Sequence, residues 1–353
     1  MTKHFIEYLL TATLAVMTAQ SCVSKIDPIF DESSANRVEA LAERLNETLT
    51  GAPNGWLLEY YPSSGQYYGG FNVFLSFSEG NKVKVGSEVA GKGKTATSTY
   101  SIYQSAGCVL TLDTYNEVMH YFADPETTGG QGAGFGFEGD FEFNVLDLQD
   151  EKITLKGRKT GSTMTMTPMP VSMSWDDYIV ALKEEESAIS KHTRIRYQTA
   201  DNKYDGRING RTLEIFSEVD GEQVTTSYPF IFNLMGVTFY KPLELGDERI
   251  DGLVYNPDMA DGGAFIPVND GAEGYFVPTY PTITDYLMDK NWFFSYKGLS
   301  DYCKKLWDKA AESLKAAGDN ITYCYLGNIS NYYGDFYACL LYTSPSPRDK
   351  RQS

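Results

Sequence analysis

The sequence predicts a mainly β protein with a few helices, built from two consecutive antiparallel sheet modules of sandwich or barrel type and a truncated C-terminal part. Aromatic residues make up 14% of the 353 residues and are accompanied by 32 glycines, a composition typical of pleated sheet and tight turns. From Trp56 to Thr167, and again after Thr193, apolar residues recur at a period of two. Short polar clusters separate these runs, as turns separate antiparallel strands.

The first 21 residues predict a lipoprotein signal peptide. Lys3 supplies a positive start, an apolar run extends from Tyr8 to Thr18, and Cys22 follows a small-residue step. The run is shorter than the roughly 20 apolar residues that span a bilayer. We therefore expect Cys22 to carry the lipid that anchors the protein in the outer membrane, on its cell-surface or periplasmic face, with residues 22–33 as a tether.

The first module is predicted over residues 34–190. It opens with a helix from Ser34 to Thr50, in which apolar residues recur at helical spacing. About eight short strands follow. Their markers are Phe71 to Phe77, Val83 and Val85, Tyr100 and Ile102, Val109 to Leu112, Val118 to Phe122, Phe137 to Val145, Ile153 and Leu155, and Met164 and Met166.

The second module is predicted over residues 191–298, after a second helix that begins with the capping-box-like run Ser174 to Asp177. A third helix, from Ser300 to Gly318, and further strands follow within residues 299–338. The segments 98–125 and 226–257 show a similar order of motifs, which indicates either duplication of one sheet module or convergent strand patterning. The clearest strands of the second module are Thr212 to Phe216, Phe230 to Phe232, Val237 to Tyr240 and Tyr275 to Val277.

Residues 339–353 are interpreted as read-through from a sequencing adapter and not as native sequence. Cys339 to Asp349 back-translates in frame through the transposon-end adapter used to fragment DNA. We exclude the segment from fold reasoning, as one would a fusion scar, and expect the native gene to continue differently after Ala338. A genuine Ser/Pro-rich tail is the alternative.

Charge and cysteine content exclude several classes of function. The chain has 47 acidic and 30 basic residues, a formal charge of −17, which argues against binding to nucleic acid or electrostatic docking on anionic lipid. Cys108, Cys303 and Cys324 show no short CxxC spacing, so no zinc cluster is indicated. Cys303 and Cys324 either pair in an oxidising periplasm or remain thiols.

Three carboxylates form the sequence's candidate site. Glu138, Asp140 and Glu142 alternate with glycine and phenylalanine, so a strand would place them on one face. Such a row is typical of a solvated surface, but it can also hold calcium or supply the acid and base groups of glycoside cleavage. Calcium is the one cofactor that the sequence suggests, and no firm metal site or catalytic residue is assigned.

Other motifs carry less weight. Gly134 to Gly139 matches GxGxxG, but a strand and not a helix is expected after it, and the GxxxxGK run from Gly86 to Lys92 lacks the Ser or Thr that binds magnesium. His120, expected at a polar strand position, and His192 stand in no metal-ligand spacing. The aromatic residues Trp56, Tyr60, Tyr61, Tyr67, Tyr68, Tyr332 and Tyr333 indicate either a half-buried sheet or a stacking surface for a sugar.

A set of motifs resembles a known family. In chain order these are Asp27 to Ser33, Gly55-Trp56-Leu57-Leu58, Leu112 to Asn116, His120, Asp124-Pro125, Gly136 to Phe143 and Leu155-Lys156-Gly157. Together they resemble the Bacteroidetes lipoproteins called domain of unknown function 4302. The resemblance implies no catalytic residues to carry over, and it implies a companion of an outer-membrane nutrient-uptake system by analogy alone.

We therefore expect a lipid-anchored envelope protein that acts as a non-catalytic binding or accessory module of a nutrient-uptake system. Its expected partners are the membrane, an uptake receptor and a glycan or peptide ligand, with nucleic acid excluded. The alternative is a surface hydrolase acting on glycans or peptides through a dispersed carboxylate site. A purely structural envelope protein is a third class.

Overall fold

The computed structural model describes residues 34–105, 107–126, 134, 136–199, 203–219, 221–260, 262–269, 272, 274–280, 292–316, 318, 320–327 and 337–343. The chain divides into two compact units, Met1–Ala181 and Leu182–Ser353. Each unit contains a closed eight-stranded antiparallel barrel, so the predicted fold class, mainly β with two consecutive antiparallel modules, is confirmed.

The first barrel follows the chain without a crossover. Each strand pairs with the next, and β1 also pairs with β8 to close the sheet. A helix, α1 (Ser34–Gly51), precedes it and was predicted from its apolar spacing. The strands are β1 (Trp56–Tyr60), β2 (Phe71–Ser78), β3 (Lys82–Ser87), β4 (Thr95–Gln104), β5 (Cys108–Leu112), β6 (Glu142–Gln149), β7 (Lys152–Gly157) and β8 (Thr163–Pro168).

Alternate side chains of these strands fill the first barrel. Trp56, Leu58 and Tyr60 of β1 are fully buried, as the period of two requires when one face points inward. Helix α1 adds Leu45 and Leu49 to the same core, and the Leu49 carbonyl accepts a 3.0 Å hydrogen bond from the Trp56 indole nitrogen. Small barrels are filled by side chains in this way.

The predicted strand from Val118 to Phe122 is wrong. The segment forms a one-turn helix, α2 (Glu117–His120), and His120 therefore does not occupy a strand position. The Asn116 side chain caps the helix, because its oxygen accepts from the backbone nitrogens of Val118 and Met119 at 3.1 and 3.2 Å. An asparagine at this position favours a helix start over a strand.

The predicted strand from Phe137 to Val145 begins five residues later than expected, at Glu142. Gly136 and Glu138 have φ values of 56° and 58°, which an extended strand does not allow. At Gly136 a Cβ would lie 2.2 Å from the carbonyl oxygen of Asp124. The close approach of these two loops therefore requires glycine and delays the strand.

Helix α3 (Trp175–Ile189) begins in the first unit and ends in the second. Its start was predicted correctly, and Ser174 caps it by accepting a 3.1 Å hydrogen bond from the Asp177 nitrogen. The Trp175 ring stacks on Phe74 of β2 at 5.5 Å between centroids. The first turn of α3 thus covers the outward side of β2.

The second barrel repeats the sequential strand order, and β9 pairs with both β10 and β16. The four predicted segments lie on β11, β12, β13 and β16. Of the other four strands, β9, β10 and β14 have more polar patterns and β15 has only four residues. The strands are β9 (Arg194–Gln198), β10 (Lys203–Asn209), β11 (Thr212–Val219), β12 (Glu222–Asn233), β13 (Gly236–Leu245), β14 (Glu248–Asn256), β15 (Ala264–Pro267) and β16 (Tyr275–Pro278).

A three-stranded sheet and a helix follow the second barrel. Helix α4 (Asp301–Ala316) was predicted, and it follows a short 3-10 helix (Tyr296–Gly298). The strands are β17 (Trp292–Phe294), β18 (Asn320–Gly327) and β19 (Tyr337–Thr343), in the order β17-β18-β19. Strand β19 includes Cys339 to Thr343, the first residues of the segment that the sequence predicts to be adapter read-through.

Two cysteines in the described part of the chain are free thiols, Cys108 being buried and Cys303 exposed. Cys303 therefore forms no disulfide bond in the structure.

Within the described residues, no helix combines the length and the apolar character that a membrane span needs.

Candidate functional site

Several residues singled out from the sequence lie outside the part of the chain that the structure describes. Cys22, with the signal peptide and tether around it, precedes the described residues, and Tyr332 and Tyr333 fall in a gap between them. Lipid attachment at Cys22 stays a prediction.

The three carboxylates Glu138, Asp140 and Glu142 do not form a row on a strand. Only Glu142 belongs to β6, where it pairs with Arg158 at 3.7 Å. Asp140 is buried, and its carboxylate accepts hydrogen bonds from the backbone nitrogens of Lys159 and Thr160 at 2.7 and 3.0 Å and from the Thr160 hydroxyl. Asp140 therefore joins two parts of the barrel and is not presented to solvent.

In the described part of the chain, no three or more His, Cys, Asp or Glu residues are placed to share a metal ion. The strand geometry on which the calcium hypothesis depended is absent at Glu138, Asp140 and Glu142. Calcium binding stays a prediction that this geometry does not support.

The aromatic residues near the start of the first barrel belong mainly to its core. Trp56, Tyr60 and Tyr61 are buried, whereas Tyr67 is 68% exposed. The Tyr60 hydroxyl donates to the Asp140 carbonyl at 2.9 Å, and burial raises the pKa of this phenol well above its ordinary value. These contacts agree with the sheet interpretation and leave no stacking surface at Trp56, Tyr60 and Tyr61.

The two histidines in the described part of the chain are held by local contacts. His120 lies beside its own helix cap, with its Nδ1 atom 3.1 Å from the Asn116 carbonyl oxygen. His192 Nε2 lies 2.8 Å from the Tyr255 hydroxyl, and burial together with Lys191 lowers the pKa of the imidazole. In neither case do these contacts form a metal site.

A small apolar cavity lies in the interior of the second barrel. The cavity between Ile195, Leu213, Phe230 and other apolar side chains has a volume of about 10 Å³, which is at most the space of one water molecule. This cavity is too small for an organic ligand.

An open groove of about 860 Å³ runs along the outside of the second barrel. Strands β9, β10 and β11 form its floor, the β11–β12 turn forms one side, and Thr279 and Tyr280 lie after β16. Its charged lining residues are Arg194, Arg196, Lys203, Asp205, Arg207 and Glu218. We call it the cationic groove, after its four basic side chains.

Strand register sets the order of charges in the cationic groove. Asp205 of β10 stands opposite Arg196 of β9, and Arg207 stands opposite Arg194. Arg196 donates two hydrogen bonds to Asp205, at 2.6 and 3.0 Å, which raise the pKa of its guanidinium. Arg207 likewise donates from Nε and Nη2 to Glu214 on β11, at 2.9 and 2.6 Å.

The groove is cationic in an acidic protein. Its described lining has four basic and two acidic side chains, whereas the whole chain carries −17. Lys203 makes no ion pair with any residue that the structure describes. The Arg196–Asp205 pair is exposed, and exposed ion pairs contribute little stability, so the Arg196 guanidinium can exchange Asp205 for a ligand at small cost.

Two aromatic rings flank the charges. Tyr280 is 78% exposed, and the Arg207 guanidinium lies 5.9 Å from the centre of the Phe216 ring. Both residues line the groove. The site therefore combines hydrogen-bond donors, carboxylate acceptors and apolar ring surface, as ligand sites commonly do.

The whole-chain charge concealed this site from sequence reasoning. Between Lys191 and Arg211 the sequence has six basic residues, Lys191, Arg194, Arg196, Lys203, Arg207 and Arg211, against the two acidic residues Asp201 and Asp205. The alternation of Arg194, Ile195 and Arg196 places both arginines on one strand face. A local charge count along alternating segments would have found the groove.

Comparisons with known proteins give one family. The model of a family described as Domain of unknown function (DUF4302) matches residues 26–257. No curated protein matches the chain. The β chain of DNA polymerase III from Streptococcus pneumoniae TIGR4 matches with 11% identity over 88% of this chain and 84% of that one, but its TM-score of 0.11 carries no argument.

Proposed function

The chain belongs to the family of the domain of unknown function DUF4302, and from that premise we propose that it is a non-catalytic binding module that holds an acidic carbohydrate in its cationic groove. The observation that carries the proposal is the concentration of Arg194, Arg196, Lys203 and Arg207 in one open groove of an otherwise acidic protein. The local positive charge of such a groove attracts anions, although the protein as a whole is negatively charged.

The chemistry of the groove favours a sugar acid over a simple anion. Guanidinium groups bind carboxylates through paired hydrogen bonds, while Asp205 and Glu218 can accept hydrogen bonds from hydroxyl groups. The rings of Tyr280 and Phe216 offer apolar surface to the C–H face of a pyranose. A uronic acid oligosaccharide presents carboxylate, hydroxyl and C–H groups together.

The carboxylates of the groove support binding more than cleavage. Glycoside hydrolysis uses two carboxyl groups that flank the scissile bond. Asp205 already accepts two hydrogen bonds from Arg196, and Glu218 is the other acidic residue in the described lining. The hydrolase alternative remains a measurable outcome of the experiment below.

The cellular setting of the proposal rests on the sequence alone. We propose that Cys22 carries the lipid anchor of an outer-membrane protein, and that the binding module works beside a nutrient-uptake receptor. Processing at Cys22 is checked by the mass of the mature protein after membrane extraction. A Cys22→Ala variant should retain the mass of the unprocessed precursor and carry no lipid.

Calorimetric titration with hexagalacturonate tests the proposed ligand class. The variant Lys203→Gln/Arg196→Gln removes one lysine without an ion-pair partner in the described structure and one arginine paired with an aspartate. We expect it to bind hexagalacturonate about tenfold more weakly, because two charge contacts of roughly 0.7 kcal/mol each are lost. Raising the ionic strength should weaken wild-type binding, since the groove is open to solvent.

The variant Lys241→Gln/Arg249→Gln is a matched control. It removes the same charge from the same barrel, and Arg249 is also an exposed arginine paired with an aspartate, Asp251, at 3.4 Å. Its affinity should stay within about twofold of wild type. Equal loss in both variants, equal affinity for hexaglutamate, or chromatographic detection of shortened sugar would contradict a glycan-binding, non-catalytic groove.

A further inference from the structure

Three aromatic rings lie together on the surface of the first barrel, outside the cationic groove. The His120 ring stacks on Phe141, with centroids 4.9 Å apart and planes at 20°. Tyr115 lies on His120 at 5.0 Å. Tyr115 is 73% exposed and Phe141 is 37% exposed, so apolar ring surface faces solvent. We call Tyr115, His120 and Phe141 the aromatic platform.

The platform is held in place by the fold beneath it. Asn116, which follows Tyr115, is buried and caps helix α2 with its side chain, and its amide nitrogen also donates to the Ser98 hydroxyl at 3.1 Å. The Phe141 carbonyl accepts a 3.1 Å hydrogen bond from the Leu112 nitrogen. The backbone positions of both outer rings are therefore fixed, which lowers the entropy cost of binding.

Acidic residues lie close to the platform residues in the sequence. Asp113 accepts a 2.8 Å hydrogen bond from the Ser101 hydroxyl. Glu142, next to Phe141, pairs with Arg158, and Glu117 at the start of α2 is exposed. These three carboxylates outnumber the single Arg158 guanidinium, so their net negative charge disfavours an anionic ligand. The carboxylates can accept hydrogen bonds from the hydroxyl groups of a neutral ligand.

We infer that the aromatic platform is a second carbohydrate-contact surface, which takes the flat C–H face of a neutral pyranose. Because the rings stack on one another, the outer face of Tyr115, the most exposed of the three rings, contacts the apolar face of the sugar. Asp113 and Glu117, which flank Tyr115 in the sequence, supply acceptors for the hydroxyl groups. Exposed rings held at fixed spacing offer contact area at low conformational cost. The inference does not depend on the proposed groove, because none of these residues lines it.

The test is titration calorimetry of the mature chain with neutral hexasaccharides, namely maltohexaose, cellohexaose, mannohexaose and β-1,4-galactohexaose. At least one should bind, and Tyr115→Ala should weaken that binding about tenfold through loss of ring contact. Tyr67→Ala is the matched control, since Tyr67 is 68% exposed in the same unit and lies outside the platform; its affinity should stay within about twofold. Thermal unfolding checks that both variants fold.

The results separate this inference from the proposed groove. Lys203→Gln/Arg196→Gln should leave neutral-sugar affinity unchanged, and Tyr115→Ala should leave hexagalacturonate affinity unchanged. Absence of binding by all four neutral sugars at millimolar concentration would overturn the platform, as would equal weakening by Tyr67→Ala. Loss of hexagalacturonate binding alone would overturn only the groove.

Discussion

Asp140 connects two separate segments of the first barrel through one buried carboxylate. Its two oxygens accept three hydrogen bonds from Lys159 and Thr160, and its main chain bonds to the Tyr60 hydroxyl. At Gly157 a Cβ would lie 2.1 Å from the nearer carboxylate oxygen, so the glycine makes room for the contact. The acidic residue first considered as a ligand is therefore a structural one.

Asp140→Asn should lower the free energy of unfolding by about 1–3 kcal/mol, because the amide nitrogen places a donor against a donor in a buried site. Urea denaturation of the purified mature chain measures the change. The control Asp150→Asn alters an exposed residue whose ion pair with Arg44 spans 3.4 Å, and it should change stability by less than about 0.5 kcal/mol. Equal effects of the two substitutions would refute the structural role of Asp140.

Glu59 makes the stability of the first barrel depend on pH. Burial raises the pKa of this carboxyl, and Lys152 offsets the effect in part. Nearby, burial first and then the charges of Glu88 and Glu59 raise the pKa of Tyr178. Because the folded state binds the Glu59 proton more tightly than the unfolded state, its contribution to stability is largest at mildly acidic pH and falls as the pH rises through the raised pKa.

Glu59→Gln should therefore gain stability relative to wild type as the pH rises from about 4.5 to neutral. Denaturation midpoints at several pH values between these limits give the difference. Glu151→Gln, at an exposed turn position, provides the comparison and should show no such trend. A pH-independent difference for Glu59→Gln would rule out the proposed linkage.

At the scale of elements, helix α3 is the best example of a segment whose position is set by a few side chains. Trp175 stacks on Phe74 and its indole nitrogen donates to the Asn54 carbonyl at 2.9 Å. Gly86 of β3 lies under this ring, since a Cβ there would be 3.1 Å from it. The start of the helix therefore packs closely against the outer faces of β2 and β3.

Trp175→Ala should destabilise the first unit by about 2–4 kcal/mol, through lost ring contact and an unfilled space on the barrel. Trp175→Phe should recover most of this loss, because it retains stacking without the indole hydrogen bond. Val171→Ala, at a residue that is 75% exposed, serves as the control. Chemical denaturation, monitored by circular dichroism, measures the stability of each variant. Equal stability of Trp175→Ala and Val171→Ala would contradict the account.

Sequence periodicity predicted those elements whose apolar pattern is undisturbed. Helices α1, α3 and α4 follow from spacing and capping residues, and β2, β3 and β11 follow from alternation. At α2, Val118 and Phe122 are apolar and were interpreted as strand residues, but the Asn116 cap decides the local structure. Strands β9 and β10 were missed because their outward positions carry arginine, lysine and aspartate, which are also the residues that make the groove.

For the whole molecule, the two barrels have the same sequential strand order. The similar segments that begin at Ser98 and Thr226 lie on the fourth strand of their barrels, and both lead to the fifth strand. The agreement ends there, because Asp124 follows α2 whereas Asn256 ends the sixth strand, β14. The correspondence is compatible with duplication of one module and with convergent strand patterning, so both interpretations stay open.

The net charge of the whole molecule is a poor guide to how charge is distributed over its surface. The net charge of −17 correctly describes the average surface, but it conceals a groove where basic side chains predominate. Strand pairing brings Arg194, Arg196, Lys203 and Arg207 together across β9 and β10. The four residues are close in the sequence, and the antiparallel pairing of β9 with β10 brings them to one face.

The central claim, that an acidic carbohydrate occupies the cationic groove, is tested most directly by chemical footprinting of the mature chain. The modification rates of individual lysines and arginines are measured by mass spectrometry with and without saturating hexagalacturonate. The account predicts slower modification of Lys203 and Arg196, with Lys241 and Arg249 unchanged as internal controls. Protection of all four residues to the same degree, or of neither groove residue at saturation, would contradict it.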